Sequence, residues 1–297
     1  MRAQTARLPA AVRLADLVEL TKPRITLMVV LTAAAGFLVA GAGPVPAALL
    51  LGTLVGTGLL AAGASVLNQV LERDTDARMK RTADRPLPAG RLDPDAALVF
   101  GVGLGVAGLL LLALRVNLLT ALLGALTLGG YLFVYTPLKR LTSLATVVGA
   151  VPGAMPPLMG WAAQRDALDP AAWSLFGLLF LWQLPHFLAI AWLYRADYAR
   201  AGFPMLPVLD PEGDRTARQM ILYAAALVPV SVLPSVLGLT GVAYFAGSLA
   251  LGVALLACCL AFAASRSAGA ARRLMLASVL YLPAVLVVLV LDRAARS

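Results

Sequence analysis

Long stretches free of Asp, Glu, Lys and Arg alternate with short polar connections along this chain. The first stretch covers residues 25–71 and is split by the turn-forming run Gly41-Ala42-Gly43-Pro44. Others follow at 96–114, 116–138, 141–164 and 170–194. Residues 219–265 divide at Gly238-Leu239-Thr240-Gly241, and 274–291 close the series. A spanning helix needs about 20 apolar residues, so the pattern predicts nine membrane helices. The period-2 alternation of a membrane barrel is absent. The expected fold is all-α and integral to the membrane, a single polytopic domain over 1–297 in which 1–20 form a cytoplasmic N-terminal segment.

Composition agrees. Of 297 residues, 61% are apolar and 13% charged, with a mean hydropathy of +0.87. Soluble domains carry about a quarter charged residues. The net charge is +9, which in a soluble protein would suggest nucleic acid. No nucleic-acid motif accompanies it, and topology explains it better. With nine spans and the N-terminus cytoplasmic, twenty of the 24 Lys and Arg fall on the cytoplasmic side. Arg115, Arg165, Arg293 and Arg296 fall on the other. No secretory signal is visible, and a bacterial plasma (inner) membrane is the expected location. Cys258 and Cys259 are adjacent within a span and read as packing residues.

Two connections hold ten of the fifteen acids, and both fall on the expected cytoplasmic side. In the first, Asn68, Glu72 and Asp76 recur every fourth residue, so a helix stacks them on one face. No Pro or Gly interrupts 64–85, so the helix is expected to run on until Pro86 and Pro88 stop it. Oxygen ligands at that spacing suit magnesium, with Arg73, Arg78, Lys80, Arg81 and Arg85 holding phosphate oxygens. A charged helix end at the membrane surface explains the same spacing. Asp74 faces elsewhere and is expected to orient a cation.

In the second connection, His186 is the only His in the chain and follows Pro185 inside an apolar span. It is expected either to make a neutral hydrogen bond or to contact a haem iron. Asp197 lies three turns further on. Trp192, Tyr194 and Tyr198 fit an interfacial aromatic belt. Lys139 and Arg140 end the fourth span as either a membrane anchor or a diphosphate clamp. The fifth span, rich in Pro and Gly, suits close packing or a curved wall.

These residues also carry a resemblance. Asn68-x3-Glu72-Arg73-Asp74-x-Asp76-x2-Met79-x-Arg81-Thr82-x2-Arg85-Pro86-Leu87 resembles the first Asp-rich motif of the UbiA superfamily of intramembrane prenyltransferases. Tyr135-Thr136-x2-Lys139-Arg140-x-Thr142 is similar to its middle motif. Trp182-Gln183-x-Pro185-His186-Phe187, followed by Asp197-Tyr198-x2-Ala201-Gly202-x-Pro204-Met205-Leu206-Pro207, is similar to its second signature as the haem-farnesylating branch has it. The resemblance covers about residues 18–292. It implies helices around a central cavity and a site near the cytoplasmic face. It implies transfer of farnesyl from farnesyl diphosphate to a vinyl group of haem B, with addition of water, giving haem O and diphosphate.

In that reading Asn68, Glu72, Asp76 and Asp197 hold magnesium. Arg73, Arg81, Arg85, Lys139 and Arg140 hold diphosphate, and His186, Trp182 and Tyr194 contact haem. Membrane lipid surrounds the protein, and a haem A synthase is a further expected partner. Glu72 stands where the superfamily usually has Asp. Ala201 stands where it usually has a second carboxylate, so one magnesium ligand is either missing or supplied elsewhere, by Asp210 or Asp214. The alternatives are an aromatic prenyltransferase making a quinone precursor and a transporter with broken helices.

Overall fold

A computed structural model describes residues 13–296, so the predicted N-terminal segment lies largely outside the described residues. No strand occurs among them. Long helices dominate: α1 (Pro23–Ala40), α2 (Ala47–Asp76), α3 (Pro94–Arg115), α4 (Leu118–Leu138), α5 (Ala145–Arg165), α6 (Pro170–Leu193), α7 (Asp214–Ser231), α8 (Val242–Ser265) and α9 (Ala268–Ala294). All but α5 are long and apolar enough to cross a membrane, α7 together with the turn that follows it. α5 has the length, but its Pro, Gly and polar residues dilute its apolarity.

Local chemistry sets the ends. Pro23, Pro94 and Pro170 start their helices, where a missing N–H costs nothing. Asp93, Asn117, Asp169 and Ser267 accept hydrogen bonds from exposed first-turn amides. Most connections are short, and the two longer ones, 77–93 and 194–213, return the chain to the same end, so successive helices run antiparallel. Lys22, the end of α2, the end of α4 and the end of α6 therefore gather at one end of the bundle.

α1 packs on α2 and α5, α2 on α3, and α3 on α4. α5 packs on α6, and α6 on α7 and α9. Trp161, Leu158, Leu178, Leu188, Tyr244 and Phe262 fill the interior. Leu27, Leu31, Val99, Leu114, Leu126 and Leu280 point outward and are exposed. Such a surface is a liability in water and suits hydrocarbon.

The Pro and Gly residues of α5 serve close packing. A Cβ on Gly160 would lie 1.9 Å from the Ala33 carbonyl oxygen, and one on Gly36 2.1 Å from that of Pro157. Neither backbone can give way. Gly160→Ala is expected to destabilise the protein by about 1–3 kcal/mol, read as a lower thermal midpoint in detergent. An unchanged midpoint would mean that α1 and α5 stand further apart.

The second-span expectation needs one correction. α2 does extend beyond its apolar run, but it ends at Asp76, well before Pro86. Residues 77–92 fold back as turns. The Thr82 hydroxyl donates to the Asp76 carbonyl (2.8 Å), and Arg85 returns to the Asp76 carboxylate. Those bonds offer the chain an alternative to further helix.

Candidate functional site

Asn68, Glu72 and Asp76 form the expected ladder on the last turns of α2. They are 2%, 6% and 2% exposed, so none is a solvated helix end. Each rung has its own partner. Asn68 Nδ2 donates to Thr136 Oγ1 at 3.1 Å. Lys139 Nζ lies 2.5 Å from Glu72 Oε1. Arg85 Nη1 lies 2.7 Å from Asp76 Oδ2.

α4 delivers Thr136 and Lys139 through a local irregularity. Its turns Gly130–Tyr135 are π-helical. A π turn shifts the residues after it by one position around the helix, and such turns concentrate at functional sites. Thr136 Oγ1 donates to the Tyr131 carbonyl (2.8 Å), and the Tyr131 and Tyr135 rings lie 5.4 Å apart. Lys139 Nζ stands 4.7 Å from the Tyr135 ring centroid, a cation–π geometry. Burial disfavours the Lys139 charge, but Tyr135, Glu72 and Tyr131 outweigh it and hold the ammonium above its ordinary pKa.

Lys22 joins this group, although by sequence it counts only as one more cytoplasmic cation. Burial first, then the charges of Arg85 and Lys139, push its ammonium down to about 8, against the pull of Glu72 and Asp76. Its backbone is left-handed (φ 48°), a conformation that costs a non-glycine residue about 1 kcal/mol. The one clue in the sequence is its place directly before Pro23, at the same end as the acids.

The second polar segment reaches the same end. After α6 the chain forms a short helix, Arg195–Ala201, carrying Asp197. The Arg81 backbone N–H donates to Asp197 Oδ2 at 3.4 Å, and Arg200 pairs with the same carboxylate. The Arg81 guanidinium lies 5.2 Å from the Tyr194 ring and 5.6 Å from that of Tyr198, and bonds the Tyr198 hydroxyl. Loop 77–92 thus ties Asp76, through Arg85, to Asp197, through Arg81. The two acidic stretches, 121 residues apart between Asp76 and Asp197, meet at one mouth.

Several expected residues stand elsewhere. Arg73, one position past Glu72, turns about 100° away and pairs with exposed Asp74 at 3.2 Å. Asp74 does orient a cation, but outside the site. Arg140 is exposed and bonds the Leu71 carbonyl. Tyr194 sits under Arg81, two turns from His186. Trp192 is buried against Phe262 and Arg195 and belongs to no interfacial belt.

Both acids expected to stand in for the carboxylate missing at Ala201 have partners of their own. Asp210 Oδ2 accepts from the Thr216 backbone N–H and hydroxyl at 2.7 and 2.8 Å, at the start of α7. Asp214 pairs with Arg266. Ala201 itself is packed with Met79, Ala191, Phe203 and Met205, surroundings that would penalise a carboxylate. Cys258 and Cys259 are free thiols.

No three His, Cys, Asp or Glu side chains converge tightly enough to hold a metal among the described residues. The donor set still fits magnesium, which binds through one or two carboxylates plus substrate phosphates. Glu72 and Asp76 are adjacent oxygen rungs. Asn68 spends its Nδ2 on Thr136, and its Oδ1 makes no hydrogen bond among the described residues.

His186 forms a separate cluster deeper in α6. Its Nδ1 lies 2.7 Å from Ser278 Oγ on α9. Trp182 stacks on it with centroids 5.3 Å apart and planes 16° apart, and donates from Nε1 to the Ser278 carbonyl (2.8 Å). A cavity of about 380 Å³ lined by Trp161, Arg165, Asp169 and Arg293 lies at the other end of the bundle, away from both clusters.

A multi-pass helical bundle whose buried acids and cations gather at one end is the architecture of an intramembrane prenyltransferase. The family profile described as "UbiA prenyltransferase family" matches residues 29–282, and the chain belongs to that family. It is 48% identical over 291 residues to "Protoheme IX farnesyltransferase" of Solibacter usitatus, covering 94% of this chain and 98% of the relative. It is 49% identical over 277 residues to the protein of the same name in Salinibacter ruber, covering 93% and 98%. Among solved structures, a digeranylgeranylglyceryl phosphate synthase superposes with a TM-score of 0.80 at 16% identity over 95% of this chain and 99% of that one. A UbiA homologue from Archaeoglobus fulgidus bound to GPP and Mg²⁺ gives 0.63 at 17% identity, over 92% and 99%.

Proposed function

We propose that this chain transfers the farnesyl group of farnesyl diphosphate to a vinyl group of haem B, adding water, to give haem O and diphosphate. The observation that carries this reading is the junction of the α2 ladder with Asp197 at one mouth, walled by Lys22, Lys139, Arg81 and Arg85. The relatives' shared name supports the acceptor.

An allylic diphosphate ionises when its leaving charge is neutralised. Magnesium bound at Glu72 and Asp76, with Asn68 and Asp197 beside them, would supply electrostatic stabilisation of the departing diphosphate. The UbiA homologue bound to GPP and Mg²⁺ supports that use of metal. Lys139 and Arg85 bind and orient the phosphate oxygens, trading their carboxylate partners for the substrate, and the Arg81 guanidinium joins them from its place beside Tyr198. The apolar interior keeps bulk water from the allylic cation. The C1–O bond to diphosphate breaks, and C1 bonds to one vinyl carbon of haem. A water oxygen bonds to the other and releases a proton. His186, with Trp182 stacked upon it, contacts the haem.

The topology that fits has nine spans, with α5 as the fifth, the N-terminus and the site at the cytoplasmic face, and the plasma membrane as location. The distribution of Lys and Arg supports it.

Purified protein in detergent, given haem B, farnesyl diphosphate and magnesium, is expected to yield haem O by mass spectrometry. Farnesylation of an aromatic acid instead would identify a quinone-pathway enzyme. Binding should also move a proton. Lys22 titrates near 8, and an added phosphate anion raises that value. Pyrophosphate binding at pH 8.5 should therefore take up a proton that Lys22→Met does not, with little difference between the two at pH 6. Calorimetry in buffers of different ionisation enthalpy reads this, and equal uptake by both proteins would remove Lys22 from the site.

A further inference from the structure

The hydroxyl of Ser278 carries a single hydrogen, and two acceptor-capable groups lie within bonding distance of its oxygen. One is the Met275 carbonyl at 2.7 Å, which can only accept. The other is His186 Nδ1, also at 2.7 Å. Both contacts are satisfied together only when Ser278 donates to Met275 and His186 donates from Nδ1 to Ser278. Ser278 is fully buried, so no water competes for these bonds.

From this we infer that Ser278 is a positioning residue that holds His186 in its Nδ1–H tautomer and presents the Nε2 lone pair to a metalloporphyrin. Nε2 makes no hydrogen bond among the described residues. A histidine that binds iron commonly donates its other ring N–H to a fixed acceptor, which sets both tautomer and ring orientation. The same residue holds the neighbouring ring, because the Ser278 carbonyl accepts from Trp182 Nε1. α9 thereby fixes two parallel rings of α6 from one position, through its backbone for Trp182 and its side chain for His186. Removing the hydroxyl frees the imidazole and leaves the indole anchored.

The assignment of Nε2 to haem iron rests on the proposed function; the tautomer does not. His186 is the only histidine in the chain, so ring-¹⁵N-histidine labelling gives the NMR signals of one imidazole. In the wild-type protein at neutral pH, a proton on Nδ1 and an unprotonated Nε2 are expected. A proton on Nε2 overturns the inference without any variant having to fold. In Ser278→Ala the Nε2–H tautomer is expected to appear, and haem B affinity, titrated at the Soret band, to fall about 10–100-fold. Farnesyl diphosphate affinity should stay unchanged. Wild-type haem affinity in Ser278→Ala, with a loss in His186→Ala, would overturn the positioning role and keep the histidine as a haem contact. Undiminished haem affinity in His186→Ala would instead overturn the haem reading itself.

Discussion

Asp76→Asn is expected to lower the farnesyl-transfer rate by about 10²–10³-fold, in proportion to the charge stabilisation it removes from the leaving diphosphate. Asparagine matches aspartate in shape, and the Thr82 bond goes to the main-chain carbonyl of residue 76, so the turn after α2 survives. Arg85 keeps a neutral acceptor at 2.7 Å and retains access to solvent. Alanine is the poorer probe, because breaking a buried ion pair costs about 3–5 kcal/mol and mixes folding with chemistry. Single-turnover rates with a magnesium titration give the answer. A wild-type rate at low magnesium would dismiss Asp76 as a metal ligand.

Lys139→Met should cost a comparable factor of about 10² or more, for a different reason. It removes the cation that faces both Glu72 and the Tyr135 ring. Glu72, 6% exposed, is then a buried carboxylate without its direct ion-pair partner. The protein loses stability as well as activity. Pairing Lys139→Met with Glu72→Gln tells the two apart. The double variant should recover stability, since no charge remains unpaired, while its rate stays low. Recovery of rate along with stability would mean that the pair is only structural. Unfolding midpoints and turnover measured on the four proteins complete the cycle.

Much of the architecture was legible from the chain. Apolar runs between charged connections located the long helices to within a few residues, because only helices satisfy the backbone in hydrocarbon. α5 shows the limit. Its Gly and Pro residues lower its hydropathy, and the structure spends them on contact with α1 at Gly36 and Gly160. The end of α2 also escaped, since Thr82 and Arg85 fold back to Asp76 and no helix-breaking residue announces it.

The site divides in the same way. The ladder Asn68, Glu72 and Asp76 follows from helical spacing, a local property. Arg73 and Arg140 looked equivalent to Arg85 and Lys139 in sequence. Which cations turn inward depended on a turn, on the π segment of α4 and on the faces these leave toward α2. Lys22 was hidden because it belongs to the site only through helices that close over it.

By itself the sequence determined the membrane-spanning helices, the oxygen donors stacked on α2 and the family to which the chain belongs, since these follow from residue type and local periodicity. Only the tertiary structure decided that Asp197 reaches the loop that Asp76 anchors, that Asp210 bonds Thr216 and Asp214 pairs with Arg266, and that a serine 92 residues away lies against the single histidine. Those facts depend on which helix faces lie opposite one another. Packing between helices sets that, and no property of a local stretch of chain encodes it.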